Sequence, residues 1–358
     1  MPFPQRILIT GGAGFVGSGV GLAVKRHSPS AEVIALDSLK RRGSELNLPR
    51  LREAGVTFIH GDVRERDDLL TVGPVEAIVE CSAEPSVVAG MGPGADFLVQ
   101  TNLLGAHNCL ELARRDSAQL VFLSTSRVYP VGGLSSLRLR EDETRFALEA
   151  EQPLPAASDA GIAEGFPLEG SRTLYGATKL AAELLATEYA EAFGIPVVID
   201  RCGVIAGPWQ MGKVDQGVFT HWLLSHYTSR ELTYIGYGGT GKQVRDLLHV
   251  DDLCELVLEQ LADPAGWNGV TVNVGGGVPG SLSLLETTEI CRELTGHTVP
   301  IAPVLESRPG DVPHYASDCS RLFGRTDWRP QRAPRTVLED TFEWIRDNER
   351  AVLSALGA

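Results

Sequence analysis

Six short runs of apolar and β-branched residues, each leading into a longer helical pattern, constrain this chain more than anything else in it. They are RILIT at 6–10, EVIALD at 32–37, VTFIHGDV at 56–63, AIVECSA at 77–83, QLVFLSTS at 119–126 and PVVIDRC at 196–202. Each run is apolar nearly throughout instead of alternating with polar residues, as strands are when helices cover both faces of their sheet. Strand and helix in regular alternation imply an α/β fold built on a doubly wound parallel sheet, with a ligand site beyond the carboxyl ends of its strands.

After about residue 203 the rhythm loosens into LTYIG at 232–236, VRDLLHV at 244–250 and VTVNVG at 270–275, with helical patterns near 251–262, 281–295 and 335–354. A smaller C-terminal α/β lobe is expected there. The expected boundaries are 1–203 plus about 240–268 for a nucleotide-binding domain, and 204–239 plus 269–358 for a substrate lobe. Between Tyr129 and Tyr175 lies a polar stretch containing Pro and Gly, too long for an ordinary connection, and a loop over the cleft is expected from it.

A chain of 358 residues that is 43% hydrophobic fills two lobes meeting at a cleft. Its net charge of −14, without any cluster of Lys and Arg, argues against a nucleic-acid or anionic-membrane surface, so a bound anion must be met by local donors. No leader-like segment and no run of 18 apolar residues occurs, and a cytoplasmic location is expected. Cys81, Cys109, Cys202, Cys254, Cys291 and Cys319 form no C-x-x-C pair, so neither a metal site nor a disulfide framework is expected.

The first run passes directly into GGAGFVG at 11–17. Glycines at 11, 14 and 17, with Phe15 and Val16 between them, let the backbone turn tightly and bring the N–H groups of a helix start against a pyrophosphate. The second run ends in Asp37, at the spacing of a carboxylate that accepts from ribose hydroxyls and repels a 2′-phosphate. NAD is therefore expected, with Lys40, Arg41 and Arg42 keeping NADP as the alternative. Asp62 and Val63 end the third run, within reach of an adenine.

In SRTLYGATKLAAELL, Tyr175 and Lys179 stand four apart and share one helix face. An ammonium and a nicotinamide cation beside a phenol would lower its pKa by roughly one to three units, fitting it to take a hydroxyl proton as hydride leaves. The fifth run ends in STS at 124–126 and offers a hydroxyl at the same sheet edge as the glycine loop.

Together GGAGFVG, Asp37, GDV at 61–63, TNLLGAHN at 101–108, STSRVYP at 124–130, YGATK at 175–179 and HVDDL at 249–253 resemble the extended short-chain dehydrogenase/reductases, the NAD-dependent epimerase/dehydratase family, over nearly the whole chain. That resemblance implies a Rossmann-type domain with a substrate lobe. It gives Thr125 the place of the catalytic Ser/Thr, Tyr175 that of the acid/base, and Lys179 that of the nicotinamide-ribose ligand. It also places Ser38, Cys81, Ser82, Ala83, Asn102, Ser124, Arg201 and Cys202 on the cofactor side. Glu84, Ser86, Ser126, Arg127 and Val204 fall on the substrate side, Val204 standing where many relatives carry Asn. A homodimer or dimer of dimers through the helices near 95–114 and 172–193 is implied as well.

A narrower likeness, carried by EDETRF at 141–146, KVDQGVF at 213–219, GTGKQVRDLLHVDDL at 239–253 and VNVGGGVPGSLSLLE at 272–286, is to the branch of that family that epimerises CDP-activated sugars at C2. A nucleoside-diphosphate sugar is then the expected partner, with Arg245, Arg308 and Asp311 near its diphosphate and ribose. By the same resemblance Gln216, Gly217 and Val218 contact the nucleotide. A 4-epimerase, a 4,6-dehydratase or a reductase on the same platform is the rival, and a non-catalytic dinucleotide-binding scaffold a remoter one.

Overall fold

The computed structural model describes residues 2–90, 94–212 and 216–356. Its centre is a seven-stranded sheet ordered Val270–Val274, Val197–Cys202, Gln119–Thr125, Ala77–Glu80, Arg6–Thr10, Glu32–Asp37 and Thr57–His60, with every pairing parallel. The chain starts in the middle, moves outward to residue 60, and returns to the other side of the first strand. The strand order thus reverses between Arg6–Thr10 and Ala77–Glu80, the place where such sheets leave a crevice at their carboxyl ends.

Successive residues of the inner strands enter opposite cores, which explains why their runs are apolar throughout. Ile7, Ile9, Val33, Ala35, Val79 and Val121 join Val20, Val24, Leu253 and Val257 on one face. Leu8, Ile34, Leu36, Ile78, Leu120 and Phe122 join Leu110, Ala113, Ala182 and Ala186 on the other. The covering helices are Phe15–His27 and Val250–Ala262 on the first face, and Gly105–Asp116 and Leu174–Phe193 on the second.

The smaller lobe contains a sheet of Val204–Ala206, Val244–His249, Ser281–Ser283 and His314–Tyr315, together with a parallel pair, Leu232–Ile235 beside Ile301–Val304. Helices Val218–Tyr227, Leu284–Thr295 and Pro334–Asp347 complete it. Two strands lie across the expected boundaries. Val270–Val274 pairs with Val197–Cys202 at the edge of the large sheet, and Val244–His249 sits in the small one. The helix Val250–Ala262 accounts for this, because it lies on the large sheet and returns the chain to that sheet's edge.

The stretch between Tyr129 and Tyr175 also differs from expectation. It is not a loop over the cleft but a braced insertion, with Leu134, Leu137, Leu148, Ile162 and Phe166 forming a core of their own with Val128, Tyr129, Val312 and Tyr315. Its hairpin, Leu139–Glu141 and Phe146–Leu148, is tied to the small lobe by Phe146 N–H donating to the Lys242 carbonyl (2.9 Å) and by an Arg145–Glu286 ion pair. The apolar residues scattered through this polar stretch have a partner to pack against and so have no reason to stay over open water.

Candidate active site

Two cavities, of about 570 Å³ and about 490 Å³, open at the carboxyl ends of the large sheet and share Pro85, Thr125, Tyr175, Gly203, Ile205, Gln210 and Gln216. The first has the shape of a dinucleotide cradle. Gly14 N–H donates to the Gly11 carbonyl (2.9 Å) and opens the helix Phe15–His27, leaving first-turn N–H groups facing the cavity. A Cβ on Gly17 would lie 2.3 Å from the Gly11 carbonyl oxygen, and Gly11 itself has φ +62°, so a side chain at either position would break the turn. Asp37 accepts from the N–H groups of Ala13 (3.1 Å) and Leu39 (2.8 Å), yet burial outweighs both and pushes its carboxyl up. Asp62, paired with Arg64 at 2.6 Å, is held below its usual range by that guanidinium.

Around this cavity stand Gly11, Gly14, Phe15, Val16, Gly17, Asp37, Ser38, Asp62, Val63, Cys81, Ser82, Ala83, Ser124 and Cys202, all expected there. Glu84, expected on the substrate side, lines this one. Lys40 and Arg41 line it too, but Lys40 Nζ sits 3.1 Å above the Phe97 ring and Arg41 donates to the Met211 carbonyl (2.8 Å), while Arg42 donates to the Ser354 carbonyl (2.9 Å). The basic trio is thus engaged elsewhere. The residues present fit a dinucleotide with an unphosphorylated adenosine ribose.

Three expected cofactor residues lie beneath the cavity wall instead of on it. Asn102, in a single π-helical turn at Gln100–Leu104, bonds the Glu84 backbone at both ends of its amide (2.8 and 3.1 Å), fixing the loop after the fourth strand. Arg201 is buried in an ion pair with Glu183 (2.7 Å), and Glu183 also accepts from Ser124. Lys179, 2% exposed, lies 3.3 Å from Glu80 Oε2 and 4.0 Å over the Phe122 ring. Ser86, expected on the substrate side, lines neither cavity.

Local packing brings the reacting groups together. Thr173 Oγ1 caps the helix Leu174–Phe193 by accepting from Gly176 N–H (3.3 Å). A Cβ on Gly176 would come 2.0 Å from the Arg127 carbonyl oxygen, so only glycine lets this helix start press against the turn Ser126–Val128. The contact seats Tyr175 beside Thr125 where the two cavities meet. Of the two cations expected to lower the tyrosine, Lys179 acts in that direction, and burial outweighs it and raises the pKa.

The second cavity gathers Thr125, Ser126, Arg127, Val204, Gln216, Gly217, Val218, Arg245, Arg308 and Asp311, all expected on the substrate side. Lys213, Val214 and Asp215 of the KVDQGVF likeness lie outside the described residues. Arg245 bonds Asp311 (2.5 Å) and the Val312 carbonyl (2.7 Å), and Arg127 donates to the Gly310 carbonyl (3.1 Å). Burial and the neighbouring Arg245 hold Arg127 down to about 10. Three guanidinium groups share this cavity with Asp311 and Glu231, a net excess of one positive charge suited to a diphosphate. Residues the sequence did not single out include Phe97 and Met211 in the first cavity, and Trp222, Thr233, Gln243 and Leu282 in the second. Gln243 and Leu282 carried a signal, through their places in GTGKQVRDLLHVDDL at 239–253 and VNVGGGVPGSLSLLE at 272–286.

A parallel sheet, a glycine-turn cradle and a Thr–Tyr pair at the junction of two cavities define a dinucleotide-dependent enzyme with a second, arginine-lined cavity beside its cofactor cradle. The model of the NAD dependent epimerase/dehydratase family matches residues 7–275, and the chain belongs to that family. It is 29% identical to CDP-paratose 2-epimerase of Salmonella typhi, over 95% of this chain and 99% of that one. It is 30% identical to dTDP-glucose 4,6-dehydratase of Streptomyces niveus, over 96% and 94%. Among solved structures, the Thermus thermophilus UDP-glucose 4-epimerase in complex with NAD superposes with a TM-score of 0.75 at 26% identity, over 95% of this chain and 99% of that one. No helix among the described residues is long and apolar enough to cross a membrane.

Proposed function

We propose that the protein is an NAD-retaining epimerase that inverts C2 of a CDP-activated hexose, a paratose- or tyvelose-like sugar, by transient oxidation to a keto-sugar and re-reduction on the opposite face. One observation carries this choice: Ser126 and Arg127 follow Thr125 at the junction of the two cavities. A 4,6-dehydratase must protonate a departing hydroxyl and calls for acids at that place. A guanidinium with a pKa of about 10 keeps its proton at neutral pH and serves poorly as such an acid. The identity to CDP-paratose 2-epimerase supports CDP and C2.

In this reading Tyr175 takes the proton of the C2 hydroxyl while Thr125 hydrogen-bonds the same oxygen, and Tyr175 returns the proton when the ketone is reduced. Lys179 supplies positive charge beneath the phenol. NAD held along residues 11–17, Asp37 and Asp62 supplies the hydride acceptor and donor. Arg127, Arg245 and Arg308 hold the diphosphate while the sugar turns. Leu104, Leu174 and Leu184, exposed along the helices that cover one face of the sheet, provide the surface for a homodimer.

The test is incubation of the purified protein with CDP-sugars in deuterated water, read by NMR. A C2 epimer without deuterium at C2 is expected. With a sugar that retains its C3 hydroxyl, deuterium at C2 would instead indicate oxidation at C3 followed by enolisation, and a 4-keto-6-deoxy product or inversion at C4 would overturn the proposal.

A further inference from the structure

Lys179 is not alone in acting on the Tyr175 phenol. It lies beneath the cavity wall, buried against Glu80. A second cation, Arg127, lines the substrate cavity together with Tyr175. Arg127 belongs to the turn Ser126–Val128, where its backbone N–H donates to Thr125 Oγ1 (3.2 Å). From there its side chain runs to the other lobe, and Nη1 donates to the Gly310 carbonyl (3.1 Å). Its guanidinium is within electrostatic reach of Arg245, Asp311, Tyr175 and Tyr237. Arg308, His221 and Glu231 line the same cavity.

Counter-charges separate the two cations. The Lys179 ammonium is paired with the Glu80 carboxylate at 3.3 Å, so part of its field is cancelled before it reaches the phenol. Asp311, the carboxylate acting on Arg127, is already paired with Arg245 at 2.5 Å. Arg127 itself forms no ion pair among the described residues, and the partner of its side chain is a backbone carbonyl. A carbonyl holds a guanidinium in place without neutralising it. Around the phenol, burial pushes the pKa up, Lys179 and the Thr125 hydroxyl draw it down, the Cys202 thiol pushes it up and Arg127 draws it down.

We propose that Arg127 is a positioning residue for the proton transfer: its uncompensated guanidinium, on the cavity side of Tyr175, stabilises the phenolate that takes the substrate proton. The inference rests on the preceding one in taking Tyr175 as the base, and it gives Arg127 a duty at the phenol besides its share of the diphosphate. It stands whichever carbon reacts. A bound diphosphate takes up part of the charge, so the effect belongs to the protein before the sugar nucleotide arrives, the state that kcat/KM reports.

The experiment is an absorbance titration of the Tyr175 phenolate in the NAD-loaded protein without sugar, taken as the difference between each protein and its own Tyr175→Phe form. No turnover is involved, so this titration and the product analysis fail independently. Removing a cation makes the phenolate harder to form, which moves the titration to higher pH. Arg127→Gln, which removes the charge and keeps a neutral N–H donor on the turn, should move it up by about 0.5 pH unit. Arg127→Glu should move it by about twice as much, and Arg127→Lys should leave it within about 0.2 unit of the parent protein. The acid limb of kcat/KM, read on whichever nucleotide sugar turns over, should shift in the same order, and retained NAD shows that each variant is folded. Should Arg127→Glu lose NAD, the Gln and Lys variants decide between them. A titration unmoved in Arg127→Gln, or moved as far in Arg127→Lys, would overturn the proposal. Weakened CDP binding in Arg127→Gln with an unmoved titration would make Arg127 a diphosphate ligand and nothing more.

Discussion

At the scale of single residues, Lys179 shows how burial redistributes a charge that its sequence position assigns elsewhere. Its ammonium lies against Glu80, itself 1% exposed, before its field reaches Tyr175. Burial pushes Glu80 up, and Lys179 draws it back. Replacing Glu80 by Gln keeps the shape and removes the negative charge, so the field of Lys179 acts on the phenol with less opposition. Because Tyr175 must lose its proton to act as base, activity rises with pH through its pKa, and lowering that pKa moves the rise to lower pH. The expected result is a downward shift of about 0.5–1 pH unit in the acid limb of kcat/KM. Tyr175→Phe, with turnover lost and NAD retained, is the control that identifies the limb. An unmoved limb would leave Glu80 a packing residue. The Tyr–Lys spacing and the terminal Thr125 were legible because helix and strand periodicity fix them locally. Glu80 was not, since in AIVECSA it reads as one more strand residue and its partner is 99 positions away.

Among the elements, the strands themselves were legible but not the sheet each one joins, as Val244–His249 and Val270–Val274 show. Periodicity reports whether a segment has one or two buried faces, while its neighbour across the hydrogen bonds is set by the return path of helices such as Val250–Ala262. That helix also brings Gln260 to Asp200, in the strand Val197–Cys202, where the amide donates to Oδ1 at 2.8 Å and Oδ2 has no partner. Burial pushes the Asp200 carboxyl up from 3.8 to about 7. The stability tied to its proton is fully present below about pH 4 and is lost as pH rises through about 7. Asp200→Asn, neutral at every pH, should therefore exceed the parent protein in stability by roughly 2–4 kcal/mol at pH 8, with more than half of that advantage gone at pH 5. Urea unfolding at the two pH values measures it. An advantage of the same size at both would mean the gain comes from packing and not from the proton.

For the molecule as a whole, the two lobes are joined across the cavities by the loop that follows Asp37. Arg41 bonds the Gln216 side chain and the Met211 carbonyl, and Arg42 bonds the Ser354 carbonyl near the C-terminus. Arg50, farther along, stacks 4.2 Å from the Trp209 ring. Charge next to Asp37 reads from sequence as an alternative 2′-phosphate site, and only the folded chain reveals that these arginines reach the other lobe. Gln216 lines both cavities and Met211 the first, so the Arg41 contacts form a strap between residues that line the first cavity. Arg41→Met removes about two hydrogen bonds from a charged donor, enough to speed NAD release about 10- to 100-fold. Dissociation should be followed by the loss of bound NAD on rapid dilution, beside a competition with NADP. In the strap arrangement NAD leaves faster and NADP remains a poor competitor, because Asp37 still repels its phosphate. If Arg41 instead serves a 2′-phosphate, NAD release is unchanged and binding of NADP falls.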